Sequence, residues 1–164
     1  MDRFGGVMTT NCWLMKSEPN EFSITDLQNS PGQTAHWDGV RNYQARNFMR
    51  DKMQIGDRVL FYHSVVKPSV VGTATIVTAG YPDFTAWDKK SKYFDPKSTP
   101  ENPTWYMVDI RFAMQFAEPI SLAKLRTVPG LENMMLLRKG MRLSIQPVTA
   151  KEFEIILSLG KLER

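Results

Sequence analysis

The β-rich runs of this chain are short and do not alternate regularly with helices. Arg58-Val59-Leu60-Phe61-Tyr62-His63 and Val70-Val71-Gly72-Thr73-Ala74-Thr75-Ile76-Val77 are dense in β-branched and aromatic residues. From Tyr106 onward, Tyr106, Val108, Ile110 and Phe112 alternate with Met107, Asp109, Arg111 and Ala113, the two-residue period of a strand. Cys12 to Lys16 reads as a first strand, stopped by Ser17-Glu18-Pro19-Asn20, and Leu143 to Gln146 as a last one, closed by Pro147. Helical signals are brief and irregularly placed. Ser23 with Asp26 marks an N-cap for Ile24 to Gln28, and Asn42 to Met53 sets Ala45, Phe48, Met49 and Met53 on one face. Ser121 to Arg126 and Leu131 to Leu137 suggest two more short helices. Thr149-Ala150-Lys151-Glu152 is a capping box ahead of Phe153, Ile156 and Leu157. This is no βαβ series. It predicts an α+β fold, a small, twisted, mostly antiparallel barrel of about five or six strands with short helices packed outside.

Gly72 is placed as a bulge or a point of close approach. The stretch from Pro82 to Pro103 reads as a long polar loop, and loops of that length are usually functional or mobile. At 164 residues the chain suits one domain with its own core, expected over residues 12–164. Residues 1–11 read as a loose leader without the apolar stretch of a signal peptide. No apolar run nears the ~18 residues of a membrane-spanning helix. The single cysteine, Cys12, leaves no partner for an internal disulfide. An intracellular protein is expected.

The net charge of +4 is unevenly spread. His36 to Lys67 carries six basic residues against three acidic, and Arg138 to Lys151 carries four basic and none acidic. If the fold joins the two segments, they form a footprint for a polyanion. Otherwise each is a solvated face.

Signatures of catalysis are sparse. G-x-G-x-x-G, P-loop, H-E-x-x-H and G-x-S-x-G sequences do not occur, and two histidines, His36 and His63, give a metal little to hold. No metal and no cofactor are expected. A hydrolase or base-processing enzyme would have to use His63 with Ser64 or Cys12, lacking an orienting third group. The richer segment is His36-Trp37-Asp38-Gly39-Val40-Arg41-Asn42-Tyr43, where a tryptophan enters a glycine turn that feeds a helix. An aromatic plane beside polar groups is what an unstacked base needs. Equally, Trp37 reads as a core anchor, Asn42 as a helix cap and His63 as a structural histidine at a strand end.

Trp13-Leu14-Met15-Lys16-Ser17-Glu18-Pro19 and Trp37-Asp38-Gly39-Val40-Arg41-Asn42-Tyr43-Gln44-Ala45-Arg46-Asn47 resemble the signature segments of the EVE domain. Gly56-Asp57, Phe61-Tyr62-His63-Ser64, Tyr81-Pro82-Asp83, Trp105 to Asp109 and Arg142 to Val148 continue the likeness. The resemblance implies a PUA-like pseudo-barrel related to the YTH domain, and a reader of modified bases rather than a catalyst. In that view a flipped base, a methylated or hydroxymethylated cytosine above all, sits against Trp37. Lys16, Ser17, Gly39, Val40, Asn42, Tyr62, His63, Ser64, Tyr106, Ser144 and Gln146 would line its pocket. Arg41, Arg46 and Arg142 would hold backbone phosphates. A second aromatic wall would come from Trp13, Tyr62, Trp105 or Tyr106. The implied partner is DNA or RNA carrying a modified base, bound by a monomer in the cytoplasm of a bacterium or the nucleus of a eukaryote. The competing use of such a pocket is as a receptor for a small molecule, or as an adaptor.

Overall fold

The computed structural model describes residues 10–161, so most of the expected leader lies outside the described residues. Six strands form one curled sheet: β1 (Cys12–Ser17), β2 (Thr34–His36), β3 (Arg58–His63), β4 (Ser69–Ile76), β7 (Asp109–Ser121) and β8 (Ile145–Val148). Their order across the sheet is β2-β7-β4-β3-β1-β8. A small second ribbon pairs β5 (Tyr81–Pro82) with β6 (Tyr106–Met107). Four of the neighbouring pairs in the large sheet are antiparallel, and β1 with β3 is parallel, Cys12 beside Arg58 through Ser17 beside His63. Between β1 and β3 the chain returns through α1 (Ile24–Gln28), β2 and α2 (Tyr43–Asn47), so β3 enters from the same end as β1. The mostly antiparallel sheet is therefore as expected, with one parallel pair, β3 with β1, next to the edge strand β8.

Alternation along the strands divides the apolar residues between two cores. Trp13, Met15, Val59, Phe61 and Val71 pack on one face with Trp37, Ala45, Met49 and Met53. Cys12, Leu14, Leu60, Tyr62 and Val70 pack on the other with Phe153 and Ile156 of α4 (Ala150–Lys161). β7 crosses from one core to the other, Ile110 in the first and Phe116 and Ile120 in the second. Register shifts between β4 and β7 at Val70/Gly72 and Thr73/Ala74 accompany that crossing. Gly72 is the close approach anticipated: a methyl group there would stand 2.2 Å from the Met114 carbonyl oxygen.

The local signals behaved as their chemistry demands. Ser23 and Asp26 cap each other at α1, and Thr149 and Glu152 do the same at α4. The helix expected over Asn42 to Met53 is instead a short α-helix followed by a π-turn over Phe48–Lys52, in which the Met53 N–H reaches the Phe48 carbonyl. Of the helix expected over Leu131 to Leu137, only a 3₁₀ turn at Met135–Leu137 forms. Pro147 lies inside β8 rather than closing it, which an edge strand tolerates. The polar segment after Pro82 is anchored by a 3₁₀ turn at Phe84–Trp87, buried Ala86 and Ser98, and the Trp105 indole N–H donating to Asp95 at 2.7 Å. Among the described residues no helix is long and apolar enough to cross a membrane.

Asp57, 1% exposed, clasps the start of β1 to the turn before β3. It accepts from the Asn11 N–H (3.1 Å), the Trp13 indole N–H (2.9 Å) and the Gln54 N–H (2.9 Å). Replacing it by alanine leaves the buried Trp13 indole N–H and two part-buried backbone N–H groups without their acceptor, at ~1–3 kcal/mol each for those that find no substitute. Asp57→Ala is expected to lose about 3 kcal/mol or more in urea unfolding at an unchanged m value. A loss under about 1 kcal/mol would show that water replaces the carboxylate.

Candidate functional site

A cleft of about 1190 Å³ opens where the end of β1, the turn after β2 and the loop carrying Tyr93 meet. It exceeds the ~300–1,000 Å³ of a site that encloses a drug-sized ligand, and it is suited to part of a larger molecule. Its lining includes Lys16, Ser17, Phe22, Trp37, Asp38, Gly39, Val40, Arg41, Ser64, Tyr93, Arg142 and Ser144. The two basic segments of the sequence thus both reach it, through Arg41 and Arg142.

Trp37 resolves into both of its readings at once. It is 7% exposed, its backbone N–H donates to the Val108 carbonyl at 2.8 Å, and its ring meets Phe61 edge-on at 5.5 Å. It is a core anchor that also forms part of the cleft wall. The next residues turn sharply. Gly39 has φ +80°, and a methyl group on it would stand 2.5 Å from the Tyr93 ring. Only glycine allows this conformation and this contact together.

The turn is held by Asp83, which is fully buried. Its carboxylate accepts from the Gly39 N–H (2.8 Å), the Arg41 guanidinium (3.0 Å), the Thr85 N–H (2.9 Å) and the Thr85 hydroxyl (2.6 Å). Arg41 donates further to the Tyr93 carbonyl, at 2.7 and 3.2 Å, and to the Val40 carbonyl at 3.0 Å. Arg41 is therefore committed to protein partners and fixes Tyr93 at the cleft. A phosphate would have to compete with a buried carboxylate for it. Arg46 is also spoken for. It donates to the Thr104 carbonyl and the Asn47 side chain and lies over the Tyr43 and Trp105 rings, and it does not line the cleft. Arg142 is exposed and, among the described residues, has no carboxylate within ion-pair distance.

Five more of the expected pocket residues stand outside the cleft. Asn42 caps α2, accepting from the Ala45 N–H at 2.9 Å. Tyr62 belongs to the other core, as its position between Phe61 and His63 on a strand requires. His63 packs edge-on against Phe61, and its Nε2 accepts the Ile24 N–H at the start of α1, 3.1 Å away. Burial pulls the imidazole below its ordinary pKa, in keeping with an unprotonated Nε2. Gln146, 1% exposed, donates to the Leu143 carbonyl, and Tyr106 lies under Arg50 in the small ribbon. Ser64 does line the cleft. Cys12 does not: its thiol contacts Arg58 Nη2 at 3.7 Å, and burial pushes its pKa up. Among the described residues no three His, Cys, Asp or Glu side chains come together as a metal site.

None of the aromatics considered for the second wall reaches the cleft. Trp13 is pinned to Asp57, Trp105 stacks on Tyr43, and Tyr62 and Tyr106 lie elsewhere. Tyr93 and Phe22 line it instead. Asp38, beside Trp37 and inside the same sequence run, also lines the cleft. Its carboxyl is pushed up, first by burial and then by the nearby Asp83, and no side-chain donor among the described residues reaches it. Lys16 is half-buried in the same cleft, and burial lowers its pKa. The cleft thus presents apolar walls, a poorly solvated acceptor and a poorly solvated cation.

Comparison with known proteins gives this geometry a context. The sequence model of the EVE domain family matches residues 11–159. Thymocyte nuclear protein 1 of Mus musculus is 44% identical over 97% of this chain and 77% of its own length. A protein of Leishmania major has a similar solved structure, with a TM-score of 0.87, 47% identity, and coverage of 93% of this chain and 96% of the other. So does the human THYN1 protein solved in complex with 5-methylcytosine-containing DNA: TM-score 0.85, 43% identity, 94% and 100% coverage.

The division between framework and cleft residues is testable by stability alone. Asp83→Ala leaves Arg41, Gly39 and Thr85 without their shared acceptor in a closed environment. It should cost about 3–5 kcal/mol, as does breaking other buried pairs from one side. Arg142→Ala, on the surface, should stay within about 0.5 kcal/mol of the parent. Comparable losses in the two variants, measured by thermal unfolding, would contradict the assignment.

Proposed function

The chain belongs to the EVE domain family, and from that premise we propose that it is a non-catalytic reader of modified DNA, taking a 5-methylated or 5-hydroxymethylated cytosine into its cleft. The observation that carries the reading is Asp38, a half-buried carboxyl that no side-chain donor among the described residues reaches, lining the same cleft as Trp37 and Tyr93. The human relative solved with 5-methylcytosine-containing DNA supports the ligand class. A base in the cleft is stacked by Trp37 and Tyr93, with Phe22 completing the apolar lining. Stacking contributes ~1–3 kcal/mol per base, and flipping costs a few. Polar contacts must supply the remainder.

Asp38 accepts from the exocyclic amine of cytosine, the pairing expected of a carboxylate with that group. Thymine presents a carbonyl oxygen at the same place and is repelled. Lys16, Ser17, Ser64 and Ser144 border the base, with the backbone of Gly39 and Val40. Arg142 meets a phosphate, and Arg41 acts through Tyr93 and the turn rather than on the nucleic acid. Asn42, Arg46, Tyr62, His63, Tyr106 and Gln146 serve the framework. Absence of turnover is part of the reading: His63 has its Nε2 engaged by Ile24, and Cys12 stands apart from the cleft.

The test is titration of the full chain against oligonucleotides that differ only in one base. The parent should prefer the modified cytosine to thymine at that position. Asp38→Asn, whose amide both donates and accepts, should reduce the preference by about tenfold or more. Arg142→Ala should weaken all sequences alike and flatten the dependence on salt by about one unit. Every oligonucleotide should be recovered intact. Preference unchanged by Asp38→Asn would remove the carboxyl from recognition. Release of a base or a cut strand, lost in His63→Ala, would make the protein an enzyme.

A further inference from the structure

The connection from β3 to β4 is the most strained exposed segment described. Val65 has φ +72° and Lys67 φ +48°, two non-glycine residues in the left-handed region within three positions. The Val66 N–H donates to the Ser64 carbonyl at 2.8 Å, so Val65 is the centre of a γ-turn of the rarer, unfavourable hand. For a β-branched side chain this is a true outlier. The same two valines are left in water, Val65 70% and Val66 47% exposed. Glycine or asparagine would make such a turn without strain and without apolar exposure. Both ends are fixed: the Ser64 N–H donates to the Ser17 carbonyl at 3.0 Å, the Ser69 hydroxyl to Lys67 at 2.9 Å, and the Leu122 N–H to Pro68 at 3.0 Å. Ser64 and Val65 line the cleft.

We infer that Val65 and Val66 form a wedge that enters duplex DNA and occupies the place left by the base held in the cleft, an inference that rests on the base-reading function above. A base drawn out of a duplex leaves a gap in the stack, and an apolar side chain fills such a gap better than water does. The tip must be small, apolar, rigid and next to the pocket. The γ-turn, the two valines, the anchored ends and the shared cleft wall meet these four needs. Lys67, exposed beside the tip, faces the phosphates that flank the gap.

The wedge matters only where a stack must be opened. The variant Val66→Ser changes the tip residue that lies outside the cleft lining and is 47% exposed, so its melting temperature should stay close to that of the parent. Affinity is then measured by fluorescence anisotropy with one sequence containing 5-methylcytosine, as a paired duplex and as a single strand. Loss of about tenfold or more on the duplex, with the single strand within about twofold, is expected. Parallel losses on both, or no loss on the duplex, would overturn the wedge while the parent's preference for the modified base stands. A parent that binds modified and unmodified DNA equally in both forms would overturn the reading and the wedge together.

Discussion

A single carboxylate removed from water, that of Asp83, decides the shape of the cleft. Left unpaired, a charge so buried would cost several kcal/mol. It is satisfied only when the turn after Trp37 and the loop beyond Pro82 come together, because its donors are Gly39 and Arg41 from one and Thr85 from the other. Arg41 then takes the Tyr93 carbonyl, and Tyr93 lays its ring on the one residue in the turn with no side chain. Two segments that are irregular in themselves thus become a fixed wall. Sites need this kind of support, since a base held between loosely placed rings gains little from stacking.

Around that wall the sheet separates the labour. Its alternation commits every second residue of β3 to one core or the other, so Phe61 backs Trp37 while Tyr62 packs toward α4. His63 returns to the side of Phe61 and closes the start of α1 through Ile24. These residues hold the cleft in place without entering it. Facing the cleft are the rings of Trp37, Tyr93 and Phe22, His36 beside Asp109, the charged side chains of Asp38, Lys16 and Arg142, and the hydroxyls of Ser17, Ser64 and Ser144. Such a set can stack on a planar group, hydrogen-bond to its edge and pair with its charge.

The readable parts of this protein were those whose physics is local. The caps at Ser23 and Thr149 and the close approach at Gly72 depend on residues a few positions apart, and each stands where the sequence put it. The alternating run from Tyr106 is instead divided at Val108, Tyr106–Met107 joining the small ribbon and Asp109 onward the large sheet. The three-residue β2 carries no period to detect, and the parallel pairing of β1 with β3 depends on where a forty-residue excursion returns. Within the site, Trp37, Lys16, Ser17 and Arg142 were legible from the resemblance, and all four line the cleft. Tyr62 was not excluded, although strand parity beside a buried Phe61 is a usable signal. Tyr93 and Phe22 lie in segments without a pattern, and only the tertiary structure around Asp83 and α1 brings them to the cleft. Charge alone does not reveal that Arg41 and Arg46 also hydrogen-bond within the fold, Arg41 to Asp83 and Tyr93 and Arg46 to Thr104.

The indole N–H resonances of the tryptophans offer the most direct test of a base held against Trp37. Trp13 donates to Asp57 in the region closed off from the cleft and serves as an internal reference. On titration with a 5-methylcytosine oligonucleotide, the Trp37 indole signal should shift strongly and saturate with binding, while that of Trp13 stays in place. The unmodified oligonucleotide should move Trp37 far less at equal occupancy. A Trp37 signal unmoved at saturation with the modified DNA would contradict the account, whatever the affinity.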